Sequence, residues 1–145
     1  MDSEKYFSGV CPIGRALTRM GDGWSMMILR DAGYGITRFD QFRTSLGIAP
    51  NILTRRLAAL VDHGLLEKRR YSEHPPRDDY VLTPAGQALL PILMALGAWG
   101  RDHCGEVPST YAQDVQTGAM IEPIVVDRAT GRPLAQIEMR MVVPA

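Results

Sequence analysis

Apolar positions recur at helical spacing through the first half of the chain. Ile13, Leu17 and Met20 share a face behind Pro12, whose missing N–H costs nothing at a first helical position, so the spacing predicts a helix over Ile13–Met20. Gly21-Asp22-Gly23 breaks it. Trp24–Asp31 predicts a second helix with Trp24, Met26, Met27 and Ile28 turned to a core, closed by Gly33-Tyr34-Gly35. Ile36-Thr37-Arg38 reads as one short strand, and Phe39, Phe42 and Leu46 predict a third helix. The fourth, Pro50–His63, has two unlike faces. Leu53, Leu57, Leu60 and Val61 lie on one and must bury; Asn51, Arg55, Ala58 and Asp62 lie opposite, and Gly64 caps its end. The short turn Leu46-Gly47-Ile48 before it has the punctuation of a helix-turn-helix.

Beyond Gly64 the period changes. Leu65–Tyr71 and Tyr80–Thr83 read as strands around the turn segment Ser72–Asp79, a hairpin placed where a winged helix carries its wing. Thr83 and Pro84 then start a helix over Pro84–Gly100 that is apolar almost all round, and a helix apolar on several sides is buried on several sides. This predicts a dimer interface through Leu89, Leu93, Leu96 and Trp99, with a kink at Pro91. Arg101–Thr117 is irregular. Ile121–Val126 and Leu134–Val143 flank the turn Asp127–Arg132, and Ile137, Met139, Met141 and Val143 alternate with their neighbours, which predicts a C-terminal β-hairpin. The expected class is mainly α with small β: a dimeric winged helix-turn-helix with a C-terminal hairpin extension. Its parts are an arm at 1–10, where Tyr6 and Phe7 offer anchors, a DNA-binding and dimerisation domain at 11–102, and the extension at 103–145.

Composition changes this picture little. With 145 residues, 46% of them apolar, the chain suits one domain and an appendage. Formal net charge is zero, so no global field attracts nucleic acid. The charge is local: residues 36–77 hold eight Lys and Arg against four acids, and the stretch from Arg101 onward holds four Arg against six acids. The N-terminus carries no secretory pattern, and Ala88–Trp99 is too short to span a bilayer, so a cytoplasmic protein with no membrane partner is expected. Two cysteines, Cys11 and Cys104, are too few for a disulfide framework, and with three histidines they assemble no convincing metal site. No phosphate loop, nucleophile–base pair, metal-binding helix or cofactor box is present, so neither an enzyme nor a cofactor is expected.

Several motifs now stand in a telling order. Cys11-Pro12, Gly23-Trp24, Ile28-Leu29-Arg30, Arg38-Phe39 and Phe42 are followed by Ile48, Leu53-Thr54, Arg56-Leu57 and Gly64-Leu65. Tyr71, Pro75-Pro76-Arg77, Tyr80, Leu82-Thr83-Pro84, Gly86, Leu90-Pro91 and Trp99-Gly100 complete the run. Together they resemble the HxlR-type winged-helix transcriptional regulators, relatives of the MarR group. The resemblance implies a homodimer that binds double-stranded DNA. It departs at Ala49, where the family usually has Ser before the proline of the recognition helix; the loss of that cap typically costs about 1 kcal/mol.

On this reading Asn51, Thr54 and Arg55 face bases or phosphates. Arg56 lies toward the flank, Arg38 precedes the helix-turn-helix, and Arg77 sits at the wing tip. Lys68, Arg69 and Arg70 alternate along one strand and cannot all face DNA. Cys11 has two open roles. Some members of the resembled family sense oxidants at this Cys-Pro position, and a thiol at a helix start carries more reactive thiolate than a free one; the other role is a small packing residue. The expected function is a sequence-specific regulator on a pseudo-palindromic operator, responsive to a redox or small-molecule signal. A winged helix that binds protein, or a dimer that binds a small-molecule effector between its long helices, are the alternatives.

Overall fold

A computed structural model describes residues 9–106 and 108–145. Of the expected arm, only Gly9 and Val10 fall among them; Tyr6 and Phe7 lie outside the described residues. Two compact units divide between Leu90 and Pro91.

Among its described residues the first unit holds four helices, the start of a fifth and a hairpin. Helix α1, Pro12–Met20, starts at Cys11, whose Sγ accepts from the Gly14 amide at 3.4 Å. Helix α2, Gly23–Gly33, starts at Asp22, whose carboxylate accepts from the Ser25 amide at 3.1 Å. Helix α3, Phe39–Leu46, ends at Gly47 in the left-handed region, φ 61°, a backbone state that a side chain disfavours. The chain turns there, seats Ile48 in the core, and enters α4, Pro50–Asp62. Helices α2, α3 and α4 pack on one another through Ile28, Leu29, Phe42, Leu53, Leu57 and Leu60. Each such side chain contributes about 1.5–3 kcal/mol when fully buried.

Strands β1, Leu66–Glu73, and β2, Pro76–Leu82, form an antiparallel pair. The turn is tighter than the expected Ser72–Asp79: Arg77, Asp78 and Asp79 belong to β2, because charged residues that read as loop pair across the ladder. Tyr71 is the extra residue of a bulge, between the Arg70–Asp78 and Ser72–Arg77 pairs. Helix α5, Pro84–His103, starts under Thr83, whose hydroxyl accepts from the Gly86 amide at 3.1 Å and donates to the Gly64 carbonyl at 2.6 Å. Gly86 is there for lack of room, since a Cβ would collide with the Leu65 carbonyl oxygen.

Further expectations are corrected. Ile13 and Leu17 do not face inward; both are exposed, as are Trp24 and Met27, and only Gly14 of α1 is buried. Ile36–Arg38 is no strand, although the Thr37 carbonyl accepts from the Tyr80 amide at 2.7 Å. Of the four α5 residues expected at a dimer interface, Leu89 and Leu93 are buried and Leu96 and Trp99 are exposed, with Ile92 a further exposed large apolar residue of the helix.

The C-terminal hairpin expected over Ile121–Val126 and Leu134–Val143 is not a strand pair. In the second unit two tight turns form, at Asp114–Gly118 and Asp127–Arg132, each closed by a single bridge, Gln113–Met120 and Val126–Pro133. The strands expected over Ile121–Val126 and Leu134–Val143 do not follow. Pro123 and Pro133 donate nothing to a ladder, and Leu134–Gln136 winds into one 3₁₀ turn. Met139, Met141 and Val143 remain exposed, so the alternating pattern has no face to bury within its own unit.

Candidate nucleic-acid interface

Helix α4 is fixed by the leucines of its inner face, which leaves Asn51, Thr54, Arg55 and Ala58 on the outside. Its first turn starts without a side-chain cap at Ala49. Asn51 takes up part of that deficit: its Oδ1 accepts from the Ile52 amide at 3.0 Å. Thr54 donates to the Pro50 carbonyl at 2.9 Å, and Arg55 Nε to the Asn51 carbonyl at 3.4 Å. The Arg55 guanidinium makes no ion pair among the described residues, nor does that of Arg43 on the exposed side of α3.

Arg56, one position on, is engaged. Its Nη2 and Nε lie 2.6 and 2.9 Å from Asp22 Oδ2. That hydrogen bond, with the Ser25 amide, holds the Asp22 carboxyl below its ordinary value of 3.8 against the opposing effect of its partial burial. One acid therefore caps α2 and ties it to α4. His63, at the end of α4, ties that helix to α1, its Nδ1 donating to the Arg19 carbonyl at 3.3 Å.

The wing carries four cations and four acids, and it pairs most of them. Asp78 receives Arg70 at 2.9 Å and Lys68 at 3.6 Å, and these cations hold its carboxyl below 3.8, Arg70 most. Arg70 also reaches Glu73 at 3.4 Å, and Arg69 pairs with Glu67 at 3.1 Å. Asp79 takes Arg38 Nε at 3.4 Å and the Thr37 hydroxyl at 3.0 Å. The Arg38 guanidinium stacks on the Tyr71 ring, 4.3 Å from its centroid. Arg77, next to the tip, is the wing cation without an ion pair among the described residues. A cleft of about 520 Å³ opens between the start of α3 and the wing, lined by Arg38, Tyr71, Arg77 and Tyr80 among others.

Of the six cations and polar residues expected at DNA, the structure leaves Asn51, Thr54, Arg55 and Arg77 without an ion pair and pairs Arg38 with Asp79 and Arg56 with Asp22. Thr37, Tyr71 and Asp79 are not legible as site residues, because their partners lie 33 to 42 positions away in the chain. Cys11 is exposed and free, as is Cys104. No group of His, Cys, Asp and Glu among the described residues is placed to hold a metal ion, and no helix among them is long and apolar enough to cross a membrane.

The profile of the HxlR-like helix-turn-helix matches residues 19–108, more than half of the chain. The chain belongs to the HxlR-like helix-turn-helix family. Within that family it is similar to Rv3095 of Mycobacterium tuberculosis, an uncharacterized HTH-type transcriptional regulator, with 41% identity over 91 residues, 63% of this chain and 58% of the relative. The match thus spans less than two thirds of that relative's length. Among solved structures the chain is similar to PA1607, described as a candidate transcription factor, at TM-score 0.82 and 38% identity, covering 97% of this chain and 98% of that one. It is also similar to the reduced form of the redox regulator HypR, at TM-score 0.61 and 28% identity, covering 65% and 94%. The HxlR-like fold therefore accounts for the helix-turn-helix and wing, and the PA1607 likeness extends over the C-terminal unit as well.

Proposed function

We propose that the chain is a DNA-binding transcriptional regulator that works as a homodimer on a pseudo-palindromic operator, by binding and not by catalysis. The observation that carries this is the outer face of α4: Asn51, Thr54 and Arg55 stand exposed on a helix whose opposite face is buried, one short turn after α3. An α-helix presented in this way fits a major groove, where Asn and Arg side chains pair with base edges. Arg77 then reaches phosphate or minor groove from the wing. The exposed apolar residues Ile13 and Leu17 on α1, and Ile92, Leu96 and Trp99 on α5, support a second copy as the partner that covers them.

Selection of genomic fragments by the purified protein tests the reading. The expected result is a two-fold motif with half-sites about one helical turn apart, or a multiple of it. Affinity should fall steeply with salt as phosphate contacts release counterions. Fragments bound with no common motif, or with no salt dependence, would favour a protein-binding module instead.

Cys11 supports a second reading, a redox signal. Its thiol is exposed at the first turn of α1, and a relative solved in this fold is a redox regulator. Diamide, which takes two electrons as two thiolates join, should then release DNA from the wild type and not from Cys11→Ser. Unchanged affinity after oxidation would leave Cys11 a helix cap. A small-molecule effector would register as a mass shift in native spectra after exposure to cell extract.

A further inference from the structure

A two-stranded ribbon is marginally stable by itself and takes its pose from whatever it is fastened to. The wing here is fastened at one place in particular, the three residues ahead of α3. The Tyr80 amide donates to the Thr37 carbonyl at 2.7 Å, which extends the β2 edge by one rung. On the neighbouring residue, Asp79 gathers the Thr37 hydroxyl at 3.0 Å and Arg38 Nε at 3.4 Å. The bulge in β1 turns Tyr71 out of the ladder, and its ring lies under the Arg38 guanidinium at 4.3 Å. Arg38 is thus held from two sides by residues of the two strands.

We propose that Asp79, Thr37, Arg38 and Tyr71 form a latch that sets the wing's pose against the helix-turn-helix, and so determines where Arg77 meets DNA. The inference rests on the DNA-binding reading above. Arg38 becomes a positioning residue: its charge is met by Asp79 and its plane by Tyr71, while Arg77, two residues before Asp79 on the same strand, is left to meet phosphate. Arg38 and Arg77 line one cleft, so a shift of the wing changes the distance between them and moves Arg77 along the DNA backbone.

Electrostatics and the latch predict opposite signs, which makes Asp79→Ala the decisive variant. Removing an acid beside DNA should tighten binding to any duplex if charge alone matters. If the latch matters, Asp79→Ala weakens operator binding about tenfold and leaves or tightens binding to random duplex. Arg38→Ala should give the same operator loss, with the slope of log affinity against log salt unchanged. The double variant should bind no worse than either single one. Tyr71→Leu, which keeps the strand hydrogen bonds, should reproduce part of the loss, and Asp79→Glu should restore affinity. Hydroxyl-radical protection at the wing-contacted backbone should fade in Asp79→Ala while protection by α4 persists.

The proposal is overturned if Asp79→Ala binds operator as well as wild type or better. It is also overturned if Arg38→Ala lowers the salt slope by about one and adds to Asp79→Ala, since Arg38 is then a phosphate ligand. Arg55→Ala and Arg77→Ala run in parallel. If both leave binding intact, the DNA reading has failed and the latch with it; if both weaken binding and Asp79→Ala does not, only the latch has failed.

Discussion

Helices α1 and α4 are built alike and end differently. Each starts at a proline, and each repeats its apolar residues three or four apart. Leu53, Leu57 and Leu60 of α4 are at most 1% exposed, whereas Ile13 and Leu17 of α1 are 67% and 42% exposed. Periodicity says that a face must be covered. It does not say by what. In α4 the cover is the rest of the first unit; in α1, and along Ile92, Leu96 and Trp99 of α5, the described residues leave the apolar side chains largely open. A helix whose apolar face the chain covers holds the fold, and one whose face stays bare is available for assembly.

The comparison breaks most readily in the core. Leu57→Ala should cost about 2–5 kcal/mol in urea unfolding, because the cavity cannot close. Leu17→Ala should cost less than about 1 kcal/mol in dilute protein, its site being already wet; equal losses would show that α1 is packed after all. Next comes assembly. On the proposed dimer Leu96→Glu buries an unpaired charge and should weaken association by 2 kcal/mol or more, about thirtyfold, in sedimentation at graded concentrations. A wild type that sediments as a monomer at micromolar concentration would remove the contrast altogether.

Two adjacent arginines sharpen the same contrast within α4. Arg55→Ala should cost about 1–3 kcal/mol of operator affinity and leave Tm unchanged. Arg56→Ala should lower Tm and change affinity little, because its guanidinium is committed to Asp22.

The smallest effect is a pH dependence. The folded Asp22 carboxyl lies below 3.8, so its contribution is fully present above that value and is lost as pH falls through the folded pKa. With Asp22 about half exposed, screening keeps this near 0.5 kcal/mol. The Tm difference between wild type and Asp22→Asn, followed from pH 6 to pH 3, should shrink only below pH 4.

Much of the helix-turn-helix was legible because its signals are local. Gly47 and Gly64 mark turns, Pro50 and Pro84 mark starts, and the inner leucines of α4 repeat within one helix. What escaped depends on contacts that sequence spacing does not carry. Asp22 and Arg56 are 34 positions apart, and Arg38 and Asp79 are 41 apart. Sequence alone made both arginines look free. The segment Ile137–Val143 shows the converse. Its alternation is locally sound, but a strand needs a neighbour, and among the described residues no bridge pairs Ile137–Val143 with any other segment.

One bond at the start of α4 bears on how sharply the protein can discriminate. Asn51 Oδ1 is already an acceptor for the Ile52 amide, standing in for the cap that Ala49 cannot provide. An adenine read in bidentate fashion needs both the oxygen and the nitrogen of an Asn side chain. On the proposed DNA contact that oxygen, with two lone pairs, serves the Ile52 amide and the base at once, and a shared acceptor bonds the base more weakly than an unshared one. The base opposite Asn51 should accordingly be the more tolerant position of each half-site, and the one opposite Arg55 the stricter.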